Sequence, residues 1–310
     1  MSLRGAQRRS NLNPACKRLL RFARNDMENN GTRRSVAVSE IPRRNAFTLV
    51  ELLVVISAIA LLLALLMPAL AAARSQAHGL ACRSHLRQLV LANLGYATEN
   101  SDFYVPAARD MWDNSGKHRW HGARTRQGEP FDPLKGPLVG YLADGQIKEC
   151  PARVNFVKSD DWSVSFERGC GGYGYNMGYL GSRLWDAGLT GPQAFQQAYA
   201  RTTRTAEVAS PGRTLMFADT AMANDGASLI EYSFAEPPFA VFAGQVMTDL
   251  RMSPSLHFRH GDAANVGWAD GHADAQSMAE LDTVNVYGAD SAALRLGWFT
   301  PADNTPFDLR

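Results

Sequence analysis

Between Leu52 and Ala73 the chain runs for 22 residues without an ionisable side chain. At about 1.5 Å per helical residue that is roughly 33 Å, enough to cross a bilayer's hydrocarbon core. A secretory signal carries a shorter apolar stretch, about 7–15 residues, with a small-residue cleavage site behind it. "AAAR" (71–74) imitates such a site. The length of the run favours a retained span over residues 47–73.

Charge sorts the rest of the chain around this span. Of 32 Lys/Arg and 30 Asp/Glu, residues 1–46 hold eleven and three, leaving 21 and 27 from Phe47 onward. A basic arm, an apolar run and a mildly acidic body read as cytoplasmic, membrane and exported, in that order. The protein is expected in the inner membrane as a single-pass chain, N-terminus cytoplasmic, head periplasmic or extracellular. Nucleic acid is not an expected partner, because the arm abuts the span and has no folded scaffold. Its Arg-rich, aromatic-poor composition predicts disorder.

One carboxylate, Glu51, stands at the start of the apolar run. A charge inside a membrane is costly, about 2–3 kcal/mol near the centre of a span, and usually has a partner. Arg43 and Arg44 lie just outside it. Cutting the chain before Phe47 would create a second candidate, an α-amino group one helical turn from Glu51. Helices side by side would then pair the amine of one with the carboxylate of the next.

"AFTLVELLVVISAIALLLALLMPAL" (46–70) resembles the N-terminal segment of type IV prepilins and type II secretion pseudopilins. The resemblance implies cleavage by a prepilin peptidase between Ala46 and Phe47, N-methylation of Phe47, and Glu51 as the assembly carboxylate. Pro68 matches the proline that bends the long helix in many pilins. Ala46 departs from the glycine usual before the cut. The leader of 46 residues is long for the class; a start at Met27 would shorten it to 20.

Beyond Arg74 a helical period continues through Cys82, Leu86, Leu89, Val90, Asn93 and Tyr96 or Ala97. The spacing predicts one helix from about Phe47 to about Glu99, with 74–99 as its soluble half, ended by the turn-rich Asn100–Asp102. Pro68 should kink it without ending it. Residues 100–310 form the expected head. "RTLMFAD" (213–219) and "ANVGWAD" (264–270) have strand composition, and Asp270-Gly271 predicts a two-residue hairpin returning through "HADAQS". Residues 190–204 suit one further helix. The expected fold is α+β and pilin-like, a transmembrane-to-soluble helix packed on an antiparallel sheet.

"HGDAANVGWADG" places nine residues between His260 and Asp270-Gly271. This resembles the H-X9-DG signature of a bacterial prepilin-like family, in a hairpin region near 260–277. His260, Asp270 and His272 are the alternative ligand set to a reading with no metal and no cofactor, and Asp219 would suit as a further ligand. No nucleophile, zinc-protease or phosphate-loop motif occurs, so no enzyme activity is expected. Tyr173, Tyr175 and Tyr179 read as core positions, with a glycan-binding face as the alternative. Among Cys82, Cys150 and Cys170 three pairings are open. Cys150–Cys170 is favoured as a disulfide closing a loop of about 20 residues, worth about 3 kcal/mol. Cys82 is then a buried free thiol. The expected function is that of a structural pilin-like or pseudopilin subunit, assembling with other such subunits into a secretion or pilus-like fibre. The alternative is a membrane-anchored exported metal- or glycan-binding module on the same export route.

Overall fold

A computed structural model describes residues 47–112, 116–152, 154–157, 159, 161–279, 288–299 and 303–310. Contacts divide the chain into two units, 1–58 and 59–310. Helix α1 runs from Leu49 to Glu99, 51 residues with Pro68 inside it. Proline removes one backbone donor, and the apolar run continues through the loss. Every described residue from Phe47 to Ala77 is exposed, and burial begins near Gly79. From there Gly79, Cys82, Leu86, Leu89, Val90, Ala92, Asn93 and Ala97 are buried, the stripe the periodicity predicts. The helix stops where Ser101 and Asp102 take positive φ, 56° and 65°, and the Asp102 N–H closes back on Ala97 O at 2.9 Å.

The stripe packs on a four-stranded antiparallel sheet. Its strands are β1 (Tyr173–Tyr175), β2 (Leu215–Asp219), β3 (Ala263–Trp268) and β4 (Ala273–Ser277). Their spatial order is β4-β3-β2-β1. In β3, Val266 pairs with Ala218 of β2 and with Asp274 of β4. Residues 264–268 are buried on both faces of the strand. Gly267 faces α1, and the Trp268 ring packs edge-on against Phe299 at 5.9 Å. Among the described residues, four two-stranded ladders surround this sheet. The helix expected within 190–204 is α2, Ala194–Ala200.

The turn between β3 and β4 corrects the two-residue prediction. Trp268 N–H bonds His272 O at 2.9 Å and Gly271 N–H bonds Trp268 O at 3.0 Å, so Ala269, Asp270 and Gly271 all lie in the loop. Only Gly271 of the three takes a positive φ, 100°. A type I′ turn needs two such residues, whereas a three-residue loop needs one, at its end. Asp270 is satisfied as a turn residue and Gly271 supplies the bulge.

The contact of helix and sheet rests on Gly267. A Cβ built there would lie 2.8 Å from Val90 Cγ2 and 3.6 Å from Leu86 Cβ. Neither branched side chain can retreat, because Leu86 and Val90 are themselves fully buried. Gly267→Val is expected to destabilise the protein by about 1–3 kcal/mol through overpacking. Thermal melts followed by tryptophan fluorescence check this, and a melting temperature equal to wild type refutes it.

Candidate functional site

Among the described residues, two places bear on the predicted site residues. The first is the start of α1. Thr48 caps the helix: the Glu51 N–H donates to Thr48 Oγ1 at 3.2 Å. In return Glu51 Oε2 accepts the Thr48 N–H at 2.9 Å and the Thr48 hydroxyl at 2.8 Å. This is a capping box, a Thr followed three residues later by Glu, which satisfies helix-end donors that otherwise lack partners. The signal stands in the sequence as T-x-x-E and was missed in reading Glu51 only as an assembly charge. The cap aims the carboxylate at the helix's own N-terminal end. Phe47 is exposed. Ala46, Met27 and the leader lie outside the described residues.

The second place lies where α1 crosses the sheet, with Cys82 and Asp219 buried and Cys150 and His260 half-buried. Cys82 comes from the α1 stripe, Cys150 from the loop before β1, Asp219 from the last position of β2, and His260 from the turn that opens β3. These four side chains bring their ligand atoms within 4.8 Å of one another. Cys82 Sγ donates to Asp219 Oδ1 at 3.0 Å. The two sulfurs are 3.4 Å apart, and Cys150 Sγ is 3.3 Å from His260 Nε2. The same Nε2 lies 3.3 Å from Asp219 Oδ2.

A buried shell fixes these groups. The Asn265 N–H donates to Asp219 Oδ2 at 2.8 Å. Arg259, also buried, reaches Asp219 Oδ1 at 3.3 Å, Thr220 O at 3.2 Å and Gly172 O. Burial alone would raise the pKa of Asp219, but Arg259 and His260 beside it outweigh burial and hold it at about 2. His260 shows the converse. Burial disfavours its charge, and Asp219 and Cys150 overcome that, lifting it to about 9. The hydrogen bond with Cys82, against burial and assisted by His260, draws Cys150 down. Burial pushes the Cys82 thiol well up.

Several predicted site residues separate. His260 stands at one end of β3 and Asp270-Gly271 just beyond the other, so the nine-residue interval is one strand and its turns. Asp270 bonds His272 across the hairpin loop, Oδ1 to Nδ1 at 2.6 Å, with both side chains exposed. His272 stacks on Trp268 at 5.7 Å. The set His260, Asp270 and His272 is therefore not brought together. The Cys150–Cys170 disulfide is also corrected, for both are free thiols. The Cys150 N–H bonds Gly171 O at 2.9 Å, which brings the backbones together. Their side chains have different neighbours: Cys150 faces Cys82 and His260, while Cys170 Sγ faces Glu231 Oε2 at 3.9 Å. Cys82 is the buried free thiol expected. Tyr173 and Tyr175 are fully buried and Tyr179 nearly so; they are core, and they offer no glycan a stacking surface.

Residues 41–67 match the prokaryotic N-terminal methylation motif. No curated protein and no solved structure matches the chain. The segment is thus of the prepilin type, and the helix behind it is long and apolar enough to cross a membrane.

Proposed function

We propose that this chain is a pilin-like or pseudopilin subunit whose work is structural and interactive, and which performs no catalysis. Prepilin peptidase would cut between Ala46 and Phe47 and methylate the new terminus. Glu51 would then meet the Phe47 amine of a neighbouring subunit, in a homo- or hetero-oligomeric fibre of a type II secretion or type IV pilus system. The single observation that carries the reading is the methylation motif over 41–67, which brackets both the cut and Glu51. The eleven basic residues of 1–46 support an inner-membrane span with the leader in the cytoplasm and the head outside. His260 and Asp270-Gly271, in the H-X9-DG pattern, support the bacterial prepilin-like branch.

The absence of catalysis is supported at the buried cluster. A Cys–His–Asp triad needs the carboxylate on one ring nitrogen and the nucleophile on the other. Here Cys150 and Asp219 both face Nε2 of His260. The reading predicts that mass spectrometry of the chain recovered from membranes will find a mature N-terminus at Phe47 carrying one methyl group. An intact leader, or a terminus near Arg74, would overturn it.

A further inference from the structure

We propose that Cys82, Cys150, Asp219 and His260 form a closed tetrahedral site for a zinc-class divalent ion, one that clips helix α1 to the sheet. The proposal does not depend on how the chain is processed or what it assembles into.

The donor set selects the ion. Two thiolates, one imidazole and one carboxylate suit a borderline-soft metal without geometric demands of its own, which describes zinc. Ligand bonds of about 2.0–2.3 Å at tetrahedral angles put donor atoms roughly 3.3–3.8 Å apart. The measured edges are 3.4 Å between sulfurs, 3.3 Å from sulfur to nitrogen, 3.3 Å from nitrogen to oxygen and 3.0 Å from sulfur to oxygen. These four edges come close to that spacing, with Asp219 meeting Cys82 through Oδ1 and His260 through Oδ2, and all four ligand atoms lie within 4.8 Å of one another.

Hydrogen bonding accounts for the cluster less well. With Cys150 donating to Cys82 and Cys82 to Asp219, the single proton that His260 Nε2 can hold is left facing both Cys150 Sγ and Asp219 Oδ2 at the same distance. A cation at the centre serves both at once. Charge balances as well. Two thiolates and the Asp219 carboxylate carry three negative charges, and a divalent ion with the buried Arg259 carries three positive. Loading the ion releases the thiol protons and any proton on Nε2. All four positions are filled by protein, so no place is left for water or substrate, which is the mark of a structural rather than a catalytic site.

Its place in the fold gives the site its effect. Cys82 belongs to α1, Asp219 to β2 and His260 to the opening of β3, while Cys150 comes from a loop. Gly79, one turn before Cys82, lies over the His260 ring, where an added Cβ would sit 3.7 Å from Nδ1. The ion would hold the membrane-proximal end of the buried helix stripe to the sheet.

The test uses the full chain in detergent, purified from membranes without chelator. Elemental analysis should find about one zinc per chain. Cobalt exchanged into the protein should show thiolate-to-metal charge transfer and the intense visible bands of a tetrahedral site. C150S should lose about half of the charge-transfer intensity, and H260A at least tenfold in cobalt affinity. C170S, whose sulfur lies outside the cluster, should keep both. Two results on the wild-type protein overturn the proposal whether or not a variant folds. One is a metal-free protein with a disulfide-linked Cys82–Cys150 peptide. The other is a metal-free protein in which both thiols alkylate and added cobalt gives no charge-transfer band. Full zinc content in C150S overturns it equally.

Discussion

Glu51→Gln is expected to abolish assembly while leaving the start of α1 capped. Glutamine keeps the acceptor that Thr48 uses at 2.8–2.9 Å, and Gln serves as well as Glu at that position of a capping box. What it loses is the charge. If Glu51 neutralises a neighbouring subunit's amine, the variant leaves that amine unpaired in a low-dielectric setting, at a cost of about 3–5 kcal/mol. Every 1.4 kcal/mol is a factor of ten, so cross-linkable oligomers in the membrane fraction should fall at least a hundredfold. Glu51→Ala removes both cap and charge and should assemble no better. Assembly of the Gln variant at wild-type level alongside failure of the Ala variant would reduce Glu51 to a capping residue and remove the filament reading's main support.

Glu167→Ala is expected to cost about 3–5 kcal/mol, because it removes the carboxylate bonded to the buried Arg119 guanidinium, leaving that cation Asp110 at 3.8 Å, and takes away the acceptor of the Ser233 hydroxyl. Both oxygens of Glu167 accept from Arg119 Nε, at 2.9 and 3.1 Å, and Oε2 also takes the Ser233 hydroxyl at 2.6 Å. His121 stands 3.7 Å away, wholly buried. At roughly 2–4 °C per kcal/mol for a domain of this size, the melting temperature should drop by about 6–20 °C. Trp120 reports on the site directly, since its indole N–H donates to Ser233 O at 2.7 Å. Burial alone would raise the pKa of Glu167, yet Arg119 and His121 outweigh it and leave it lowered. A carboxylate with a depressed folded pKa contributes stability above its unfolded pKa, near 4.5, and loses that contribution as pH falls through the folded value. The variant should therefore show a shallower loss of stability on acidification than wild type. A melting temperature within 2 °C of wild type would refute the estimate.

Reading and structure agree where a signal is local. The apolar run and the three-and-four spacing from Cys82 to Ala97 each lie within a few turns of chain, and each predicts its stretch of α1. The strand of β2 and the loop at Asp270-Gly271 are local in the same way. The loop type was misjudged because a two-residue and a three-residue hairpin share the same Asp-Gly, and only the strand register separates them. The Cys150–Cys170 pairing failed for a related reason. Loop length measures the entropy of closing a bridge, and it says nothing of which way each sulfur points.

The buried cluster belongs to the other category. Cys82 and Asp219 are 137 residues apart, and Cys150 and His260 are 110 apart. Helical spacing shows that Cys82 faces inward. It cannot show that the end of β2 arrives beneath it, or that the turn before β3 swings His260 to the same point. By itself the sequence determined the apolar run, the long helix and strands β2, β3 and β4, because these follow from side-chain chemistry repeated at short range. Only the tertiary structure decided that His260 leaves Asp270 and His272 for two cysteines and an aspartate. That choice depends on how β2 and β3 pair and on the close approach of α1 at Gly267, which are properties of the packed sheet and of no single segment.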